Sequence, residues 1–164
     1  MTIKVENLKV NFKTLEEFTQ FKEYGLQELS MLEELEYSLV EDAAASPFYG
    51  IYFGDKLVAR MCLYVKDGHL DGAIQAYDKH LEIWKLEVLP QYQFKGYGRM
   101  LVDYAKHFNL PIVTRPRVKS QDFWIKMGFQ SLSEDSSRLV WIPDSISTKK
   151  NKLMKRKTDQ VFPG

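Results

Sequence analysis

Cysteine is nearly absent from this chain: Cys62 stands alone among 164 residues, so no intramolecular disulfide can form. A lone thiol suits a reducing compartment, and residues 1–17 lack the apolar run of a signal peptide, so the expected location is the cytoplasm. No stretch approaches the ~18 consecutive apolar residues of a membrane span, which excludes a membrane role from the expectations. The three histidines, His69, His80 and His107, have no metal-ligand spacing and no cysteine cluster beside them, so no metal is expected. A repeat with a period of about 20 to 50 residues is also missing, which sets aside solenoids and propellers.

A large excess of one charge is lacking as well, because the net charge is only +1. The basic residues are nevertheless gathered at one end, where Lys149, Lys150, Lys152, Lys155, Arg156 and Lys157 face only two acids, Asp144 and Asp159. Residues 144–164 are poor in large apolar groups and cannot offset the entropy of ordering. The expected organisation is one folded domain over 1–143, followed by a basic, flexible tail over 144–164. A solubilising role is the plain reading of that tail. Contact with nucleic acid or a ribosome is the sharper one, weakened because only Phe162 interleaves an aromatic ring with the charges.

What the chain does have is apolar bulk, with 45% hydrophobic residues including ten Phe, nine Tyr and three Trp, enough for a core without staples. Apolar residues at 3, 5, 8, 10 and 12 predict a first strand with a break in register. Thr14 and Glu17 have the spacing of a capping box, and Leu15, Phe18, Phe21, Leu26, Leu29, Leu32 and Leu35 follow at near-helical intervals. Residues 48–53 and 56–64 read as a hairpin around Gly54-Asp55. Residues 67–78 give mixed signals. A strand over 80–89 ends at Pro90, a glycine-bearing loop covers 91–98, and a helix runs over 99–108. A strand at 111–114, a short helix at 121–127 and strands at 129–132 and 138–142 complete the pattern, an α/β sandwich.

The chemistry-bearing segment is Leu86-Glu87-Val88-Leu89-Pro90-Gln91-Tyr92-Gln93-Phe94-Lys95-Gly96-Tyr97-Gly98-Arg99-Met100-Leu101. A strand stops at a proline, and two glycines let main-chain amides converge just before the positive end of a helix, a place suited to an anion. Two familiar phosphate loops do not fit. The dinucleotide fingerprint wants Gly or Ala where Leu101 stands, and the P-loop Gly-Lys-Ser/Thr is missing. Gly96 and Gly98 alone would also suit an ordinary strand-to-helix turn.

The remaining pattern, Gln93-x-x-Gly96-x-Gly98, resembles the pyrophosphate motif of the GNAT superfamily of N-acetyltransferases, and Asp122-Phe123-Trp124-Ile125-Lys126-Met127-Gly128-Phe129 resembles that family's C-terminal helix. The likeness is strongest over 80–130 and extends weakly over 1–142. More narrowly, the chain resembles the YlbP-type acetyltransferases of bacilli. The resemblance implies a central mixed, mostly antiparallel sheet with a splayed fourth strand and helices on both faces. It implies acetyl-CoA as co-substrate, with Leu86 and Val88 pairing with the pantetheine arm. The pyrophosphate would lie on Gln93, Phe94, Lys95, Gly96, Tyr97, Gly98 and Arg99. The implied reaction is direct attack of an amine, on a small molecule or a peptide, within a ternary complex. The family often dimerises, so a homodimer is among the expected partners.

Attack requires a neutral amine, so a general base is useful. Glu82 stands eleven residues before Gln93, the spacing of the glutamate base in the histone acetyltransferase branch. A solvated carboxylate on a strand face is the alternative reading of Glu82. Glu87 is the runner-up base, and a bulge between 82 and 87 would decide which of them faces the cleft. The sequence departs from the family where many members carry a tyrosine that protonates the leaving thiolate: Trp124 stands there. Arg117 stands where asparagine is common, and Arg115 and Arg117 read equally as contacts for coenzyme A phosphates or an anionic substrate and as plain surface residues. These departures leave a non-catalytic acyl-CoA sensor as the alternative function. Cys62, in mid-strand, reads as a buried inert thiol. Six acids between residues 28 and 42 read as a solvated helix face or as an attraction for a basic acceptor.

Overall fold

In the computed structural model of this protein, the residues described are 3–9, 11–21, 46–67, 78–116, 120–131 and 137–143. The expected helix through Leu26 to Leu35, the acidic run at 28–42, most of the ambiguous stretch 67–78, His69, Arg117, Leu132 and the basic tail lie outside them.

The hairpin forms where alternating aromatic and apolar residues meet Gly54-Asp55. Strand β2 covers Phe48–Phe53 and β3 covers Lys56–Asp67, antiparallel, with a register shift at Ile51/Tyr52. Gly54 takes φ +62, the left-handed turn conformation that glycine adopts without strain. Residues 57–63 of β3 are all buried, as in a strand covered on both faces. Strand β1, Val5–Asn7, pairs antiparallel with β2. The expected break after Val5 is not seen, since Val5, Glu6 and Asn7 pair in register with Ile51, Gly50 and Tyr49; the chain then turns into helix α1, Phe12–Phe18, so Phe12 is helical and not part of the strand. The cap also differs from expectation. Asn11 accepts the Thr14 amide at 3.0 Å, while the Thr14 hydroxyl turns back to the Lys9 carbonyl, so Thr14 lies inside the first turn.

The remaining elements are β4, Lys79–Val88; a 3-10 turn, Pro90–Tyr92; α2, Tyr97–Lys106; β5, Ile112–Thr114; α3, Gln121–Lys126; and β6, Leu139–Trp141. The strands follow the sheet order β1-β2-β3-β4-β5-β6, mostly antiparallel with one parallel pair. The expected strand at 129–132 reduces to a single bridge, Gln130 to Val140.

The chain divides into two compact units. The first takes in Met1–Tyr64 and Ile83–His107, the second Val65–Glu82 and Phe108–Gly164. In the first, neighbouring residues of β2 point to opposite sides. Phe48 meets Phe18 of α1 with ring centroids 4.8 Å apart, and Tyr49 meets Tyr104 of α2 at 5.1 Å. The two helices therefore cover opposite faces of β2. On the α1 side the core gathers Leu8, Phe18, Phe21, Phe48, Leu57, Cys62 and Leu89. Cys62 is thus a packed core thiol.

In the second unit β5 and β6 pair antiparallel, Val113 and Val140 share a small core, and the Leu81 amide donates to the Pro111 carbonyl at 2.8 Å. Helix α3 ends in a Schellman turn: Gly128, at φ +93, donates to Ile125 and Phe129 donates to Trp124, both at 3.0 Å. No helix among the described residues is long and apolar enough to cross a membrane.

Candidate functional site

Strand β4 is not regular. Lys85 sits in its middle at φ +50, a left-handed conformation costing a long side chain roughly 1 kcal/mol or more. The irregularity falls between Glu82 and Glu87, the two carboxylates named from the sequence. Glu82 is half-buried in the second unit. Glu87 lies in the first unit, 5% exposed, and its Oε1 accepts from Arg60 Nη2 at 2.8 Å. The Arg60 guanidinium lies over the rings of Phe18 and Phe21, 4.8 and 4.5 Å from their centroids. Glu87 is therefore committed to a buried guanidinium framed by aromatic faces, a placement that does not suit an alternative base. Leu86 and Val88, which alternate with Glu87 along the strand, are half-buried.

Beyond β4 the backbone is locked. The Leu89 amide donates to Val58 O of β3 at 2.9 Å, and the Tyr92 amide closes the 3-10 turn onto Leu89 at 2.8 Å. Gln93 spends its side chain on the loop itself, since Nε2 donates to the Val88 carbonyl at 3.1 Å. This bond ties the start of the glycine turn to the end of the strand. Phe94 follows at φ +63 and Gly96 at φ +92, and Gly96 is the N-cap of α2. The helix begins at Tyr97, two residues before the sequence reading placed it, because Gly96 turns the chain directly into it. Tyr97 is buried and anchors the first turn.

The consequence is a row of donors. Among the described residues, no hydrogen-bond acceptor is found for the amides of residues 94–99, while the Gly96 carbonyl already takes the Met100 amide at 3.0 Å. A Cβ built on Gly96 would meet nothing within 4 Å, and the first turn of α2 carries no acid. Open space, N–H groups with no acceptor among the described residues and the positive end of a ten-residue helix suit an anion. The exposed side chains of Lys95 and Arg99 add positive charge beside it. The first unit thus contains all nine residues named for the cofactor, from Leu86 to Arg99.

The second unit shows what stands in place of the family's tyrosine. Trp124 is 5% exposed and packs edge-on against Phe129, with centroids 5.0 Å apart. Its indole is core, not a hydroxyl donor. Arg115 is exposed. Sequence reasoning missed the Arg60–Glu87 pair, although a signal existed: an arginine amid Leu57, Val58, Ala59, Met61, Cys62 and Leu63 has to bring a buried partner.

A strand that breaks its own regularity, ends at a proline and hands a helix amides with no acceptor among the described residues suits the phosphate-bearing co-substrate of an acyl-CoA-dependent transferase. This chain belongs to the acetyltransferase (GNAT) family, whose model matches residues 12–129. It is 56% identical over 147 residues to the N-acetyltransferase YlbP of Bacillus subtilis, covering 86% of this chain and 92% of that protein. An N-acetyltransferase of Bacillus pumilus is 59% identical over 148 residues, covering 87% and 93%. The crystal structure of Bacillus subtilis YlbP in complex with coenzyme A superposes with a TM-score of 0.74 at 55% identity, over 87% of this chain and 98% of that one.

Proposed function

We propose that this GNAT N-acetyltransferase moves the acetyl group of acetyl-CoA to an amine by direct attack in a ternary complex, with Glu82 taking the proton of the acceptor ammonium. The observation that carries the cofactor assignment is the row of amides over 94–99 with no acceptor among the described residues, around an open, left-handed Gly96. Acetyl-CoA supplies an activated thioester. The chain supplies the rest: amides 94–99 with Lys95 and Arg99 hold the diphosphate, and the strand edge at Leu86 and Val88 positions the arm. Glu87, held by Arg60, keeps that edge in place. Glu82, half-buried on the same strand before the irregularity at Lys85, is the carboxylate of the two that pairs with no guanidinium among the described residues. No tyrosine replaces Trp124 in its helix, and a thiolate with pKa about 8.5 leaves without a dedicated acid. The cytoplasm, where acetyl-CoA is made and used, is the proposed location.

Calorimetric titration with acetyl-CoA tests the reading. The wild type should bind with micromolar affinity, and Gly96→Glu, which sets a carboxylate against the diphosphate, should weaken binding at least about 100-fold, the like-charge counterpart of the charge-assisted bonds it displaces. With an amine panel, Glu82→Gln should lower kcat by about 100-fold or more while the affinity for acetyl-CoA holds. Absence of wild-type binding overturns the cofactor assignment. Unchanged kcat in Glu82→Gln overturns the base. A second reading, a non-catalytic acyl-CoA sensor, is favoured by the buried Trp124 and predicts binding without turnover on any amine.

A further inference from the structure

Strand β4 carries an aromatic pair that neither the coenzyme nor the proposed base uses. Trp84 packs against Tyr64 of β3, with ring centroids 5.8 Å apart and planes at 73°, and both residues belong to the first unit. Trp84 is 46% exposed. Among the described residues Tyr64 is its only ring partner, and its indole N–H has no acceptor. A single exposed apolar side chain needs no explanation by itself. This one takes its meaning from where the strand puts it.

Glu87 meets Arg60, whose guanidinium covers the Phe18 and Phe21 rings, and Tyr64 packs against the same core. Arg60 and Tyr64 therefore look toward α1 from one face of β3. In a regular β4, alternation would send Trp84 and Glu87 to opposite faces. Trp84 instead reaches Tyr64 on the face where Glu87 reaches Arg60, and between them stands Lys85 at φ +50. The left-handed residue thus turns the indole to the α1 side.

The amides over 94–99 and the strand edge at Val88 and Leu86 give the proposed coenzyme a direction, from the glycine turn back along β4. Its thioester end then arrives at the irregularity beside Trp84. The acceptor nitrogen must reach that end, so the group that carries the nitrogen lies by the indole. Strand β4 has two carboxylates, Glu82 and Glu87. Glu87 is neutralised by Arg60, and Glu82 serves the reacting ammonium. A second charge on the acceptor finds no partner on this strand, whereas a ring finds a ring.

We propose that Trp84, braced by Tyr64, holds the group that carries the acceptor nitrogen, and that the preferred acceptors are primary amines with an aromatic ring close to that nitrogen. The inference rests on the N-acetyltransferase reading given above and names its substrate class.

Acetyl transfer from acetyl-CoA to phenethylamine, butylamine and 1,4-diaminobutane, measured on the full chain, tests it. The wild type should favour phenethylamine over the other two in kcat/KM by about 10-fold, the size of one aromatic contact with the area it buries. In Trp84→Ala the preference should fall to about 2-fold or less, and Trp84→Phe should keep most of it, because a ring returns. The ratio does not depend on how much of a variant folds, since all three amines meet the same preparation. Equal wild-type kcat/KM for the three, a lead for the diamine, turnover only on other amines, or a preference unchanged in Trp84→Ala overturns the proposal and leaves the N-acetyltransferase reading standing. Absence of wild-type turnover on every amine of a wider panel removes both.

Discussion

Gly96 and Gly128 share a backbone conformation, φ +92 and φ +93, yet they occupy opposite kinds of surroundings. Gly128, in the second unit, closes helix α3 with both bonds of a Schellman turn, and a Cβ there would touch the Trp141 ring at 3.4 Å. Every demand of that turn is met within the protein. Gly96, in the first unit, opens helix α2 with a row of amides that no carbonyl among the described residues takes, and a Cβ there would meet nothing within 4 Å. The same angle therefore serves a closed junction in one place and an open one in the other. An unmet donor set around unfilled space marks binding, because folding alone leaves such groups paired or covered.

The sharpest case of a closed arrangement is Arg60–Glu87, and breaking it should give the largest loss of stability. Arg60→Met leaves the Glu87 carboxylate buried without its guanidinium and should cost about 3–5 kcal/mol in denaturant unfolding. Adding Glu87→Leu should recover most of that, since an apolar pair of similar volume replaces the ions. If Arg60→Met alone is neutral, the pair is not closed in the sense argued here.

The two glycines can then be compared directly. Alanine at either must adopt a left-handed backbone, so Gly96→Ala and Gly128→Ala should each lose about 1–2 kcal/mol. Binding should separate them. The Gly96→Ala methyl projects into the space a diphosphate needs and should weaken acetyl-CoA binding by about 10-fold, one 1.4 kcal/mol step, whereas Gly128→Ala should leave it within about 2-fold. Equal effects on binding would erase the distinction between the two sites.

Much of this was legible in the sequence, for identifiable reasons. The hairpin at 48–64 and the turn at Gln93–Gly98 are local features, written in alternation, glycine placement and a terminating proline. They appear almost where they were expected, because no distant contact has to be known to form them. The first helix was harder. Asn11 outcompeted Thr14 as its cap, since the Thr14 hydroxyl was drawn to the Lys9 carbonyl, a preference that spacing does not encode. The left-handed Lys85 is harder still, because no feature of Trp84-Lys85-Leu86 distinguishes it from a regular strand. Spacing to Gln93 put Glu82 ahead of Glu87 in the sequence, but the pairing of Glu87 with Arg60, 27 residues earlier, is a long-range contact that no local pattern encodes.

The smallest effect expected from a closed contact lies at Tyr52, on the strand that α1 covers. Its hydroxyl donates to Glu17 Oε1 at 2.9 Å, joining β2 to the last turn of the helix. Burial first, and then the bond to the Glu17 carboxylate, hold the phenol well above its ordinary pKa of 10.0. Folding therefore favours the protonated phenol. The contribution is complete below pH 10, and it declines as pH rises past that value, because the unfolded chain then releases a proton that the folded chain keeps. The group is only half-buried, so solvent screening limits its worth to about 1 kcal/mol. Tyr52→Phe should lower stability by that amount at neutral pH, and the difference from wild type should shrink above pH 10. A gap that widens with alkalinity would mean that the phenolate is the form the fold prefers, contrary to its geometry. Acetyl-CoA affinity should be the same in both proteins, since this contact, like the turn at Gly128, is completed within the chain itself.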